Sequence, residues 1–175
     1  VAYAEQSGYI NYYVSDGSKV SVNDVIYSID TTGDVSSQIT SAVEDGSLLD
    51  KESITDFANE TNSFAQSYNS SDFSSVSLFK EQLSSSLTQT LSQNALSSLS
   101  DAVGTAEQNA TFYKYTSSQP GIISYRIDGY EGMTVSDFSK EDLTSTSYSS
   151  RDLDKNTEIN QLDPVYKRIN SDTWN

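Results

Sequence analysis

The chain has 175 residues, which suits one domain or one domain with an elaboration. Its 25 Asp and Glu outweigh 10 Lys and Arg, and the net charge of -15 argues against binding nucleic acid or an anionic membrane surface through these residues. The absence of Cys and His excludes disulfides, thiolate sites, the usual zinc sites and a Ser-His-Asp triad.

The first predicted unit runs from Gly8 to Asp30 and contains two strands. Its strand segments, Gly8–Val14 and Val25–Ile29, are rich in Tyr and β-branched residues. An Asp16-Gly17 turn follows the first of them. Because side chains alternate along a strand, we expect every second residue of Gly8–Val14 to share one buried face.

From Asp34 the apolar spacing changes from two to about 3.6 residues, which predicts helices. Asp34 is the predicted N-cap, Gly46 interrupts the helical run and Gly104 is the predicted stop. The serine-rich stretch 72–103 needs a packing partner, because serine is a mediocre helix former. Residues 34–69 are the natural partner, so we predict an antiparallel helical hairpin; a separate three-helix bundle is the alternative.

The second predicted unit, after a strand at Ala110–Tyr115, repeats the first. The equivalent residues are Ile10, Tyr12, Val14, Asp24, Ile26 and Tyr27 in the first unit and Ile123, Tyr125, Ile127, Asp163, Val165 and Tyr166 in the second. Such a repeat predicts two similar β-units that form one sandwich. A polar insert, Met133 to Gln161, interrupts the second unit. Within it we expect a short helical turn at Ser136–Leu143 and a surface loop over residues 144–156.

The strongest candidate for a metal site is a D-x-D-x-N-x-E run in the insert. Its members are Asp152, Asp154, Asn156 and Glu158. The run resembles the start of a calcium loop, but Thr157 stands at the sixth position and Asp163 at the twelfth, where Gly and Glu are needed. A solvated loop is favoured, with calcium as the alternative. No nucleophile motif or phosphate loop is present, so the sequence predicts neither an enzyme nor a cofactor.

Two copies of G-[YI]-I-x-Y-x-[VI], each followed by a D-x-[IV]-Y strand, resemble the halves of a biotinyl/lipoyl-type β-sandwich. A sandwich of this type split by a helical hairpin resembles the HlyD-type membrane-fusion, or periplasmic adaptor, proteins. GIISYRIDGYEG at Gly121–Gly132 is similar to the Gram-positive branch. The resemblance implies an α+β fold: a lipoyl-like barrel-sandwich hybrid from residues 1–33 plus 105–175, with a helical hairpin inserted over 34–104.

The same resemblance implies a non-enzymatic adaptor of an export or efflux system. Its expected partners are a membrane transporter and further copies of itself, with no nucleic acid. We expect an extracytoplasmic protein, held at the cell membrane by an anchor upstream of Val1. A cell-surface scaffold without a transporter is the alternative. A lipoyl or biotin carrier is disfavoured, because Lys114 lies on a predicted strand and not at a hairpin tip.

The predicted partner-binding site is the turn between the long helices. It comprises Tyr68, Asn69, Ser70, Ser71, Asp72 and Phe73. The two rings that flank this polar turn either staple it together or contact a partner. A helix from Asp72 to Val103 would be roughly 45–50 Å long, which suits a cell with a single membrane better than a wide periplasm.

Overall fold

The computed structural model describes residues 1–45, 48–69, 74–133 and 150–170, and it confirms the α+β class. The strands in these ranges are β1 (Ala2–Tyr3), β2 (Gly8–Tyr12), β3 (Lys19–Val20), β4 (Val25–Asp30), β5 (Phe112–Thr116), β6 (Gly121–Ser124), β7 (Arg126–Ile127), β8 (Arg151–Asp152), β9 (Glu158–Ile159) and β10 (Pro164–Ile169). The helices are α1 (Asp34–Asp45), α2 (Lys51–Ser67), α3 (Ser74–Ser98) and α4 (Ser100–Gln108), with a short 3-10 helix at Leu153–Lys155.

Two four-stranded antiparallel sheets contain strands from both sides of the helices. Their orders are β1-β10-β6-β3 and β5-β4-β2-β9, and β7 and β8 form a separate pair. The two units exchange strands: β3 of the first unit pairs with β6 of the second, and β9 of the second pairs with β2 of the first. Neither sheet can therefore be completed by one unit alone.

One apolar core lies in the sandwich and draws on both units. Its buried members are Ala4, Ile10, Val14, Val20, Ile26, Tyr27, Ile29, Ile123, Tyr125, Leu153, Ile159, Val165 and Tyr166. The alternation predicted for Gly8–Val14 accounts for the burial of Ile10 and Val14, but Tyr13 on the opposite face is buried as well, and β4 is buried on both faces from Ile26 to Asp30. The division into domains at residues 33 and 105 remains a prediction.

The repeat extends to the hydrogen bonds of the turns before β4 and β10. In the first turn Asn23 has a φ of 72°, and the Asp24 carboxylate accepts the Ser21 N–H at 2.7 Å. The same turn recurs over residues 160–163, where the third residue has a φ of 71° and the fourth accepts the N–H of the first at 3.0 Å. The two units are thus related by an approximate two-fold repeat of backbone geometry as well as of sequence.

Tyr12 and Tyr125, equivalent residues of the two units, contact each other in the core. Their ring centroids are 4.8 Å apart and the rings meet edge to face. The Tyr12 hydroxyl donates to the Leu153 carbonyl at 3.0 Å, and the Tyr125 hydroxyl donates to the Val14 carbonyl at 2.8 Å. Burial, more than any nearby charge, raises the pKa of both hydroxyls well above the ordinary value, so both remain donors.

This reciprocal bonding corrects one predicted equivalence. Leu153, not Ile127, occupies the position of Val14, because each receives the tyrosine hydroxyl of the other unit. Leu153 is fully buried, whereas Ile127 is partly buried in β7 and pairs with β8. The surface loop predicted over residues 144–156 is wrong at residues 151–155, which form β8 and the 3-10 helix. The helical turn predicted at 136–143 lies outside the described residues.

Asp30, and not the predicted Asp34, caps helix α1. The carboxylate of Asp30 accepts the N–H groups of Val35 and Ser36 at 2.8 and 2.9 Å and both donors of Thr32 at 3.0 and 2.9 Å. Burial alone would raise the pKa of this carboxyl, but these hydrogen bonds outweigh it and hold the pKa below its ordinary value. The end of β4 and the start of the helices are therefore fixed by one side chain.

A second apolar core lies among the helices near the sandwich. Its buried members are Val35, Ile39, Ala95, Val103 and Phe112. Helix α3 also bonds to the sandwich through polar groups: the Gln93 amide donates to the Tyr13 carbonyl at 3.0 Å, and the Ser15 hydroxyl donates to the Gln89 amide oxygen at 2.8 Å. The C-terminal half of α3 is thus attached to the β-units.

The described residues of the predicted third helix, 74–103, belong to two helices, α3 and α4, with a break at Leu99. Gly104, the predicted stop, lies inside α4, which continues to Gln108. Burial of Val103 in the helical core, with Ala106 packed against it, outweighs the roughly 1 kcal/mol that glycine costs within a helix. The predicted break near Gly46 agrees with the end of α1 at Asp45; Gly46 itself lies outside the described residues.

Replacing either core tyrosine should destabilise the whole sandwich. We expect Tyr125→Ala to lower the free energy of unfolding by about 3–5 kcal/mol, because it removes a buried ring and leaves a cavity. The exposed Tyr3→Ala on β1 is the matched control and should cost less than about 1 kcal/mol. Urea unfolding measures both, and equal costs for the two variants would contradict the role given to Tyr125.

Replacing Asp30 should weaken the junction of β4 and α1 in a pH-dependent way. We expect Asp30→Asn to cost about 1.5–3 kcal/mol near pH 7, because hydrogen bonds to a carboxylate are lost. The lowered pKa means that this stabilisation is complete above the ordinary value of 3.8 and disappears as pH falls through the lower folded pKa. The gap between wild type and variant should close in acid. Asp34→Asn, at the exposed neighbouring position, is the control and should cost less than about 1 kcal/mol near pH 7. A gap between wild type and Asp30→Asn that persists at low pH would contradict the assignment.

Candidate functional site

Helix α2 carries apolar side chains that the described part of the chain leaves uncovered. It begins after Asp50, whose carboxylate accepts the Ser53 N–H at 2.8 Å. None of the residues of α2 is buried, and Ile54 is 53% exposed. Tyr68, which directly follows the helix, is 41% exposed. An amphipathic helix gains stability by covering its apolar stripe, so this surface is a candidate for contact with another chain.

Two phenylalanines hold α2 against α3. The rings of Phe64 and Phe79 are stacked with centroids 4.1 Å apart and an interplanar angle of 2°. Tyr68 lies against Phe64 with centroids 5.9 Å apart. This contact lies near the C-terminal end of α2 and the N-terminal end of α3.

Only part of the predicted site is described. Tyr68 ends α2 in an extended conformation with φ -62° and ψ 129°, and Asn69 is exposed beside it. Ser70, Ser71, Asp72 and Phe73 lie outside the described residues, so a staple between Tyr68 and Phe73 remains a prediction.

The Phe64–Phe79 stack was missed by the sequence analysis, although the sequence contains a signal for it. Phe64 lies before the predicted turn and Phe79 after it, and each lies on the apolar stripe of its helix. Two antiparallel helices joined by a short turn bring such stripes against each other. Two aromatic residues that flank a short turn on such stripes are therefore a signal for a ring contact.

The burial of α3 changes along its length. Leu91, Ser92 and Ala95, near the sandwich, are buried. Leu78, toward the other end, is 61% exposed. We call the side chains Ile54, Phe57, Phe64, Tyr68, Leu78 and Phe79 the distal apolar surface. Its members are partly or fully exposed.

A polar cleft of about 970 Å³ lies between α3 and the β-units. Serine and glutamine side chains from α3 line one wall, and Asp16, Asp152 and Asp154 line the other. Arg126 pairs with Asp152 at 3.1 Å. Burial raises the pKa of Asp154, the carboxylates of Asp152 and Asp16 add to the shift, and Lys155 opposes it. The cleft separates part of α3 from the sandwich.

The positions of the D-x-D-x-N-x-E run and of Lys114 give no support to the calcium and carrier alternatives. The D-x-D-x-N-x-E run is spread over β8, the 3-10 helix and β9, and within the described ranges no group of three or more acidic side chains could hold a metal ion. Lys114 lies within β5, where its ammonium group pairs with Glu107 at 2.9 Å. A modified lysine on a carrier stands instead at an exposed hairpin tip.

In the part of the chain that the structure describes, none of the helices combines the length and apolar character needed to cross a bilayer.

The sequence matches a family described as an RND-related, barrel-sandwich hybrid domain over residues 1–170. No curated protein and no solved structure is similar enough to the chain to count as a match. The family match covers both β-units and the helices between them, and it confirms the barrel-sandwich hybrid and, at a coarse level, the relation to membrane-fusion proteins. The chain therefore belongs to the RND-related barrel-sandwich hybrid family.

Proposed function

We propose that this protein is a non-enzymatic extracytoplasmic adaptor that assembles with a membrane transporter in an export or efflux system. The observation that carries the proposal is the family match over residues 1–170, because barrel-sandwich hybrid domains related to RND systems are components of membrane-fusion adaptors. The uncovered apolar side chains of α2 add a physical reason to expect a partner.

We assign the protein to the HlyD type, with the Gram-positive branch favoured by the Gly121–Gly132 motif. The helices between the β-units act as a hairpin inserted into the sandwich, and the Phe64–Phe79 stack supports this arrangement. An anchor upstream of Val1 holds the protein at the outer face of the cell membrane, and copies self-associate. These statements extend the family match and each needs its own test.

The turn formed by residues 68–73 is the proposed docking site at the far end of the hairpin. Tyr68 supports this role, because it is exposed and backed by Phe64, which limits its freedom before a partner arrives. Aromatic side chains with such support are common anchors of protein interfaces. The partner is an extracytoplasmic protein or a neighbouring copy.

A test of the adaptor role starts from deletion of the gene. Export by the cognate transporter should fall and should return when the full-length protein is supplied. Normal export in the deletion strain would contradict the adaptor role and favour the cell-surface scaffold.

The double variant Tyr68→Ser with Phe73→Ser tests the docking site. We expect export to fall about tenfold or more, the effect of losing ~1.4 kcal/mol of binding, while thermal stability holds. Phe64→Ala is the control for stapling, because it breaks the stacked pair and should lower the melting temperature. If the double variant melts earlier but exports normally once folded, the rings only staple the turn and the docking role is wrong.

A further inference from the structure

The two β-units repeat each other, but the strands beside β4 and β10 differ in length. Strand β5 pairs with β4 from Val25 to Asp30. Strand β1 holds the equivalent place beside β10, but it pairs only with Tyr166 and Pro164. In the part of the chain that the structure describes, residues 167–169 therefore have β6 on one side and no strand on the other.

The equivalence of β1 and β5 rests on matching hydrogen bonds and registers. The Ser117 N–H donates to the Asp24 carbonyl at 2.9 Å, and the Ala4 N–H donates to the Asp163 carbonyl at 2.8 Å. The Tyr115–Tyr27 pair of the first ladder matches the Ala2–Tyr166 pair of the second. The Thr116–Val25 pair likewise matches the Tyr3–Pro164 pair. Both ladders shift register between these two pairs.

The segment that pairs with β4 indicates which segment should pair with the equivalent part of β10. Beside β4 the position is taken by residues 112–114, which directly precede Tyr115. The equivalent of Lys114 is Val1, so the equivalents of the residues before Lys114 lie upstream of Val1. We propose that the residues immediately upstream of Val1 continue β1 along β10, with the first three opposite Arg168, Ile169 and Asn170. This rests on the proposed function only in requiring chain upstream of Val1.

The alternation of an antiparallel ladder tells which upstream residue bonds to β10. The Thr31 N–H donates to the Thr111 carbonyl at 2.8 Å, so the backbone groups of Ile29, two residues earlier, also face β5. Arg168 is the equivalent of Ile29. The first upstream residue should therefore exchange both backbone hydrogen bonds with Arg168, and the N–H of the second should face away from β10.

The side chain of Arg168 adds a chemical preference. Its terminal nitrogens donate to Ser118 and Gln119 at 3.4 and 3.2 Å, and its Nε is buried without a hydrogen-bond partner in the described part of the chain. Directly opposed residues of a ladder place their side chains on the same face. A carboxylate or hydroxyl on the first upstream residue would accept from this nitrogen.

The pairing also determines where the upstream chain leaves the sandwich. The helices leave at Asp30 and return at Phe112, which are paired neighbours in one sheet. The equivalent of Asp30 is Ile169, so the upstream segment should leave beside Ile169. The helices and the segment upstream of Val1 should thus join the sandwich at positions related by the two-fold repeat.

The test uses the chain extended by its natural residues before Val1, with amide hydrogen exchange measured by NMR. Proline has no N–H, so proline at the first upstream position removes the bond to Arg168. Proline at the second position, whose N–H faces away, is the matched control. We expect the Arg168 amide to exchange at least about tenfold faster in the first variant than in the extended parent or the control. The Ile29 amide should remain protected in all three.

Equal exchange of the Arg168 amide in the three chains would overturn the proposal, as would equal effects of the two prolines. The exchange experiment does not involve the transporter, so its failure leaves the adaptor proposal standing. Conversely, a protected Arg168 amide together with normal export in the deletion strain would count against the adaptor proposal alone.

Discussion

The fold depends on the exchange of strands between two similar β-units. Strand β3 of the first unit completes the sheet of the second, and β9 of the second completes the sheet of the first. Tyr12 and Tyr125 pack at the contact between them, and each donates to a backbone carbonyl of the opposite unit. Because neither sheet closes alone, we expect both units to fold together, through contacts that are distant in sequence.

This constraint explains how a long helical segment can stand between the two units. Asp30 and Phe112 are directly paired, so the chain leaves and re-enters the sandwich at neighbouring points. The carboxylate of Asp30 then fixes the first turn of α1. Close packing reinforces the junction: a Cβ at Gly8 would lie 2.5 Å from the Asp30 carbonyl oxygen, and one at Gly33, with φ 82°, 2.8 Å from the Tyr9 ring. The point at which the helices join the sandwich is therefore closely packed.

The sequence predicted those features of the fold that repeat or alternate along the chain. The period-two pattern and the internal repeat predicted the burial of Ile10, Ile123 and Tyr125, because these signals are local and occur twice. Leu153 was missed, because charged neighbours on both sides hide a residue whose burial depends on strands distant in sequence. The cap by Asp30 was missed for a similar reason: its carboxylate acts across a turn, while Asp34 stands at the helix start. In the candidate site, the polar turn and its flanking rings were predicted, but the contact that holds α2 to α3 involves Phe64 and Phe79, which lie farther along the helices from the turn.

The central claim is that this RND-related barrel-sandwich hybrid joins a membrane transporter to the space outside the membrane. Cross-linking in living cells, followed by affinity purification of the full-length protein and mass spectrometry, tests it most directly. The account predicts that subunits of one membrane transporter are strongly enriched with the protein, relative to cells that carry an untagged copy. Recovery of the protein with no membrane transporter, under conditions that capture its own copies, would contradict the account.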